Sequence, residues 1–102
     1  MKKDLFLPYD GKICKIESRS LIPGKNDPRK IYTFTLRTFN GEEKIQFYGE
    51  TDIKVNETIT IYEKHGSEDH LWTDSFMNQR NKKPYLSYSS LERLENQIKQ
   101  ID

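Results

Sequence analysis

The chain has 102 residues, 33% of them apolar and 32% charged, which suffices for one small domain spanning 1–102. Seventeen basic and sixteen acidic side chains leave a net charge of +1, so bulk charge selects neither a nucleic acid nor a membrane surface. The longest apolar run, Leu5-Phe6-Leu7, falls far short of a membrane span or a secretory core, and no membrane partner is expected. The single Cys14 has no internal disulfide partner, which points to a reducing, cytoplasmic compartment. Charge is nonetheless uneven. Residues 1–30 carry +4, residues 31–77 carry −5 and residues 78–102 carry +2.

In chain order, residues 11–21 read as a first strand through Ile13, Cys14 and Ile16, with the mixed pattern of a strand that bends. A loop rich in Gly, Pro, Asn and Asp follows at 22–29. Residues 31–39 and 43–48 alternate in polarity around Asn40-Gly41, the pair that best tolerates a two-residue type I′ turn. That turn sets Leu36 opposite Ile45 and Phe34 opposite Phe47 on one face. On the other it sets Arg37 opposite Lys44 and Thr33 opposite Tyr48. Residues 57–63 alternate again, with Ile59 and Ile61 inward and Tyr62 outward; 71–77 and 84–88 are further strands. Residues 89–101 read as a helix opened by a Ser89/Glu92 capping box. Its apolar stripe, Leu91, Leu94, Ile98 and Ile101, is expected to dock on the end of the barrel.

These elements predict a mainly β fold: a small five-stranded barrel over about 10–88, followed by a C-terminal helix. The order of features resembles the OB-fold of bacterial single-stranded-DNA-binding and primosomal replication proteins. The likeness is carried by the opening strand at 11–16, the central hairpin ending at Phe47-Tyr48-Gly49, and the segment Ile53-Lys-Val-Asn-Glu-Thr-Ile-Thr-Ile61. Two features depart from that family: residues 50–57 leave room for at most one turn of its intervening helix, and Asn56 stands at its usual glycine. An SH3-like barrel is the competing architecture.

Nothing in the chain has the pattern of a catalytic site, so no enzyme activity, cofactor or metal is expected. Residues 65–70 hold two histidines and two carboxylates, but read more simply as a polar tip between strands. Cys14 reads as a small core residue. The informative pattern is a basic, aromatic face between two basic loops, the arrangement through which the resemblance implies single-stranded nucleic-acid binding. Lys25, Arg29, Lys30, Arg37, Lys44, Arg80, Lys82 and Lys83 would meet phosphates, and Tyr48 and Tyr62 would stack on bases. Trp72 and Phe76 read rather as packing residues. The alternative is a protein-interaction adaptor or inhibitor, of the kind found in phages, plasmids or accessory elements, without nucleic-acid binding. Self-association is compatible with either reading.

Overall fold

Alternation with a period of two shapes most of this chain, and a computed structural model describes residues 7–22, 24 and 28–100. The elements are β1 (Tyr9–Ser20), β2 (Lys30–Thr38), β3 (Gly41–Tyr48), β4 (Thr58–Ile61), β5 (His65–Ser67), β6 (His70–Thr73), β7 (Ser75–Asn78), β8 (Pro84–Leu86) and α1 (Tyr88–Gln100). The strands form one curled, half-barrel sheet in the order β5-β6-β3-β2-β1-β4-β7-β8. Among the described strands only the β3/β6 pair is parallel.

The sheet therefore has eight strands rather than five. Two of the three additional strands have local causes, and the third, β8, lies within the expected 84–88 segment. Asp74 alone interrupts 70–78, where the Thr73 hydroxyl donates to Glu63 O at 2.7 Å and accepts the Ser75 N–H at 3.3 Å, so the chain bends. Residues 65–67, expected as part of a tip, pair with β6 instead. Gly66 makes this hairpin possible: its φ is +93°, and a Cβ there would lie 2.1 Å from His70 O.

The bend expected in β1 is a bulge at Cys14, between Ile13 and Lys15. One extra residue shifts the alternation, so Ile13 and Ile16 both face the interior while Cys14 is only half-buried, not core. Phe34, Leu36, Ile45, Phe47, Ile59 and Ile61, the expected interior, are all fully buried. Phe76 joins them, edge-on to Phe47 at 4.8 Å and Phe34 at 5.4 Å, and stacked on Tyr85 at 4.8 Å. A polar group sits beside this core. Glu43 pairs across the ladder with Leu36, accepts the Tyr9 hydroxyl and binds Lys64 at 3.1 Å. Burial first, and Glu43 second, hold the Tyr9 phenol well above its usual range.

Two expectations fail at the C-terminus. The helix is capped by Ser87, not Ser89: Ser87 Oγ accepts the Ser90 N–H at 3.1 Å, and Ser87 O accepts the Leu91 N–H at 2.9 Å. Asp74 selects this cap, because its carboxylate accepts the buried Ser87 hydroxyl at 2.8 Å. Leu91, Leu94 and Ile98 of the apolar stripe do not dock, and Ile101 lies outside the described residues. No residue of α1 is buried, and Leu91, Leu94 and Ile98 are 44%, 44% and 67% exposed.

Candidate nucleic-acid interface

The β2–β3 hairpin pairs Thr38 with Gly41, Arg37 with Glu42, Thr35 with Lys44 and Phe34 with Ile45. Within the loop only Gly41 has a positive φ, +104°. This corresponds to a type I turn closed by a left-handed glycine, rather than a type I′ turn over Asn40-Gly41. The register is displaced by two residues from the expected one. A displacement of two leaves every side chain on its face but changes its partner. Arg37 is therefore not opposite Lys44. It stands between Lys12 and Glu42, while Lys44 lies across Thr35 from Lys15.

Sequence reasoning missed three cations on this face. Lys12, Lys15 and Arg19 lie on β1 beside Arg37 and Lys44, so the outward positions of β1–β3 hold five cations. Against them stand Asp10, Glu17 and Glu42. Asp10 accepts from the Thr60 hydroxyl at 2.6 Å and the Gln79 amide at 2.8 Å, and Glu17 binds Lys15 at 3.3 Å. Lys12, Arg19, Arg37 and Lys44 are exposed, and none forms an ion pair among the described residues. The bulge at Cys14 broke the alternation from which these positions could have been read.

The aromatic partners do not form one platform. Tyr48 meets Tyr88 of α1 edge-on at 4.8 Å, whereas the Tyr62 hydroxyl sits 3.4 Å from Met77 Sδ. Tyr62 is 46% exposed and is the freer ring. Phe76 is core, as its packing reading required, and Trp72 stacks on His65 at 4.4 Å.

The two basic loops lie at opposite ends of the face. Lys25 lies outside the described residues. Arg29 and Lys30 are exposed at the entry to β2, and Arg29 O accepts the Leu21 N–H at 3.1 Å. In the second loop, Arg80 binds Glu57 at 3.3 Å and Lys83 binds Asp52 at 3.5 Å, so those two cations are partly neutralised. Lys82 is exposed, with φ +61°. This loop borders an open polar groove of about 520 Å³ lined by Asn56, Glu57, Thr58, Asn78, Gln79, Arg80 and Lys82. Glu57 stays ionised there: the Asn78 amide at 2.7 Å, then the Lys54 N–H, hold its carboxyl below the usual range. Beside the groove, Tyr85 donates to Asp52, and burial followed by that bond pushes its phenol up to about 12.

The assembled surface is thus a cationic strand face with a polar groove at one end, where the Glu57 carboxylate is paired with Arg80. It can attract a phosphate chain along β1–β3 and offer hydrogen-bond acceptors at the groove. Compared with protein families, with curated proteins and with solved structures, the chain matches none.

Proposed function

We propose that the chain is a single-stranded nucleic-acid-binding module of the OB type. The observation that carries this reading is the cluster of Lys12, Arg19, Arg37 and Lys44, outward on adjacent strands without ion-pair partners among the described residues. Strand connectivity adds support. β6 pairs with β3 and β7 with β4, and the two are separated by Asp74 alone. Counted as one bent strand, they complete a five-stranded ring through β1 to β4, with β5 and β8 as additions. A flat strand face favours unpaired bases over a duplex groove, which is why single strands are the expected ligand.

The test is a salt titration of binding to labelled oligo-dT and oligo-U. Affinity should fall with a log–log slope of about −0.7 for each phosphate neutralised. Replacing Lys12 and Lys44 with Ala should flatten that slope and weaken binding while the melting temperature stays near the parent's. Tyr62→Ala should weaken binding by roughly 1–3 kcal/mol with the slope unchanged, because stacking releases no counterions. Absence of retention by micromolar protein at low salt would remove this reading. The second reading, a protein-interaction module without nucleic-acid binding, would then lead. It draws on the exposed apolar stripe of α1.

A further inference from the structure

We propose that Glu63, His65 and Asp74 form a binding site for a divalent transition-metal ion of the Zn²⁺ class. The three residues come from the middle of the β4–β5 connection, the first position of β5, and the single residue between β6 and β7. One ligand atom from each lies within 4.8 Å of the other two.

The histidine supplies a second, independent observation. Its Nε2 atom is shut off from solvent and has no hydrogen-bond partner. Two carboxylate oxygens face it, Glu63 Oε2 at 3.5 Å and Asp74 Oδ2 at 3.7 Å. Both distances exceed the roughly 2.7–3.2 Å of an N–H···O bond, so neither carboxylate satisfies the nitrogen directly. They match a different geometry. Two ligand atoms each about 2.1 Å from a tetrahedrally coordinated ion stand about 3.4 Å apart. A nitrogen with two carboxylate oxygens suits Zn²⁺ and its neighbours among the first-row metals better than Mg²⁺, which holds its water and prefers oxygen alone.

The surroundings orient each ligand. The His65 ring is stacked on Trp72 at 4.4 Å, which fixes its plane. Ser87 donates to Asp74 Oδ1 at 2.8 Å, leaving Oδ2 on the histidine side. The Thr73 hydroxyl anchors the Glu63 carbonyl at 2.7 Å. His65 and Glu63 side chains are 40% and 42% exposed and Asp74 only 14%, so an ion would enter from the histidine side, with water completing its coordination. One group opposes binding: the Arg93 guanidinium stands 3.7 Å from the same Asp74 Oδ2. Removing it should tighten the site. His70 belongs to the same short hairpin but is exposed and outside the three-residue group, which makes it an internal control.

The experiment is addition of ZnCl₂ to the full chain, followed by the histidine-ring and tryptophan-indole NMR signals, with MgCl₂ as the reference salt. One equivalent of Zn²⁺ should shift the His65 and Trp72 signals and leave His70 unmoved, while Mg²⁺ should shift none. Zn²⁺ should also raise the melting temperature, since an ion held by the folded state alone stabilises it. His65→Ala should abolish these effects, Glu63→Gln and Asp74→Asn should weaken affinity by about tenfold or more, and Arg93→Ala should strengthen it. Far-UV circular dichroism of each variant separates lost binding from lost folding, and the wild-type shifts need no variant at all. The proposal is overturned if millimolar Zn²⁺ moves no His65 signal, or if binding survives His65→Ala. Loss of binding in His70→Ala or Cys14→Ser would overturn it equally, by placing the ion elsewhere.

Discussion

The sheet interior and α1 are built from the same kinds of apolar residue and hold together in opposite ways. In the interior, Phe34, Leu36, Ile45, Phe47, Ile59, Ile61 and Phe76 come from four strands, and each is almost wholly enclosed. In α1, Leu91, Leu94 and Ile98 line one face and no residue is buried. Interior order rests on packing between residues far apart in sequence, so its parts form and fail together. Helix order rests on its own hydrogen bonds and on a few contacts near its start: the Ser87 cap with Asp74 behind it, Tyr88 against Tyr48, and Arg93 beside Asp74. An isolated helix of 13 residues is marginal in water. The difference teaches that the two should be separable by mutation.

The largest effect is expected in the interior. Phe47→Ala removes a fully buried ring that meets both Phe34 and Phe76, and should cost on the order of 3–5 kcal/mol. Sheet and helix signals should then be lost in one transition, read by near- and far-UV circular dichroism during thermal melting. A variant that melts like the parent would contradict the packing described. The next effect lies at the junction. Ser87→Ala removes the N-cap and leaves Asp74 Oδ1 without the Ser87 hydroxyl, at about 1–2 kcal/mol. Helical far-UV signal should fall before the sheet unfolds. Equal loss of both would show the helix to be coupled to the interior after all.

The same contrast governs what could be read from the amino acids. Inward and outward assignment of β2, β3 and β4 was legible because the period-2 pattern is local and survives a register displacement of two. The pairing itself was not legible. Asn40-Gly41 fits two loop geometries, and the observed one places the positive φ at Gly41 alone. With that, the expected pairing of Arg37 with Lys44 disappears and Glu42 faces Arg37 instead. The helix cap was ambiguous for a similar reason. Ser87, Ser89 and Ser90 crowd one turn, and a tertiary contact from Asp74 decides among them. Of the candidate interface, Arg37 and Lys44 were legible on β2 and β3, whereas Lys12, Lys15 and Arg19 were hidden by the β1 bulge. The cluster of Glu63, His65 and Asp74 depends on the bend between β6 and β7, which no periodicity announces.

A smaller effect belongs to the rim, where Tyr85 donates to Asp52. Tyr85 is neutral in the folded state up to about 12, raised from 10.0. Its contribution is therefore complete below the unfolded value and is lost as pH rises through 10 toward 12. Asp52 runs the other way: the Tyr85 bond lowers its pKa, so its contribution is present above the ordinary carboxylate range and fades as pH falls through it. Stability should be flat through neutral pH and decline at both ends. Tyr85→Phe should reduce the alkaline decline, measured by urea midpoints against pH; an unchanged profile would place the titrating group elsewhere.

The smallest effect is the sharpest test of the contrast. Leu94→Ala on α1 and Leu36→Ala in the interior delete the same atoms from positions that are 44% and 0% exposed. Leu36→Ala should cost about 2–5 kcal/mol, through lost burial and the cavity left behind. Leu94→Ala should stay within about 0.5 kcal/mol, because alanine is the stronger helix former and the leucine already faces solvent. If Leu94→Ala costs several times more, the stripe is covered in solution. Repeating the melt at several protein concentrations then tells whether the cover is this chain or another copy. A loss that shrinks with dilution means a second copy, since association stabilises the parent by mass action, and a loss independent of concentration means that α1 folds back on its own sheet.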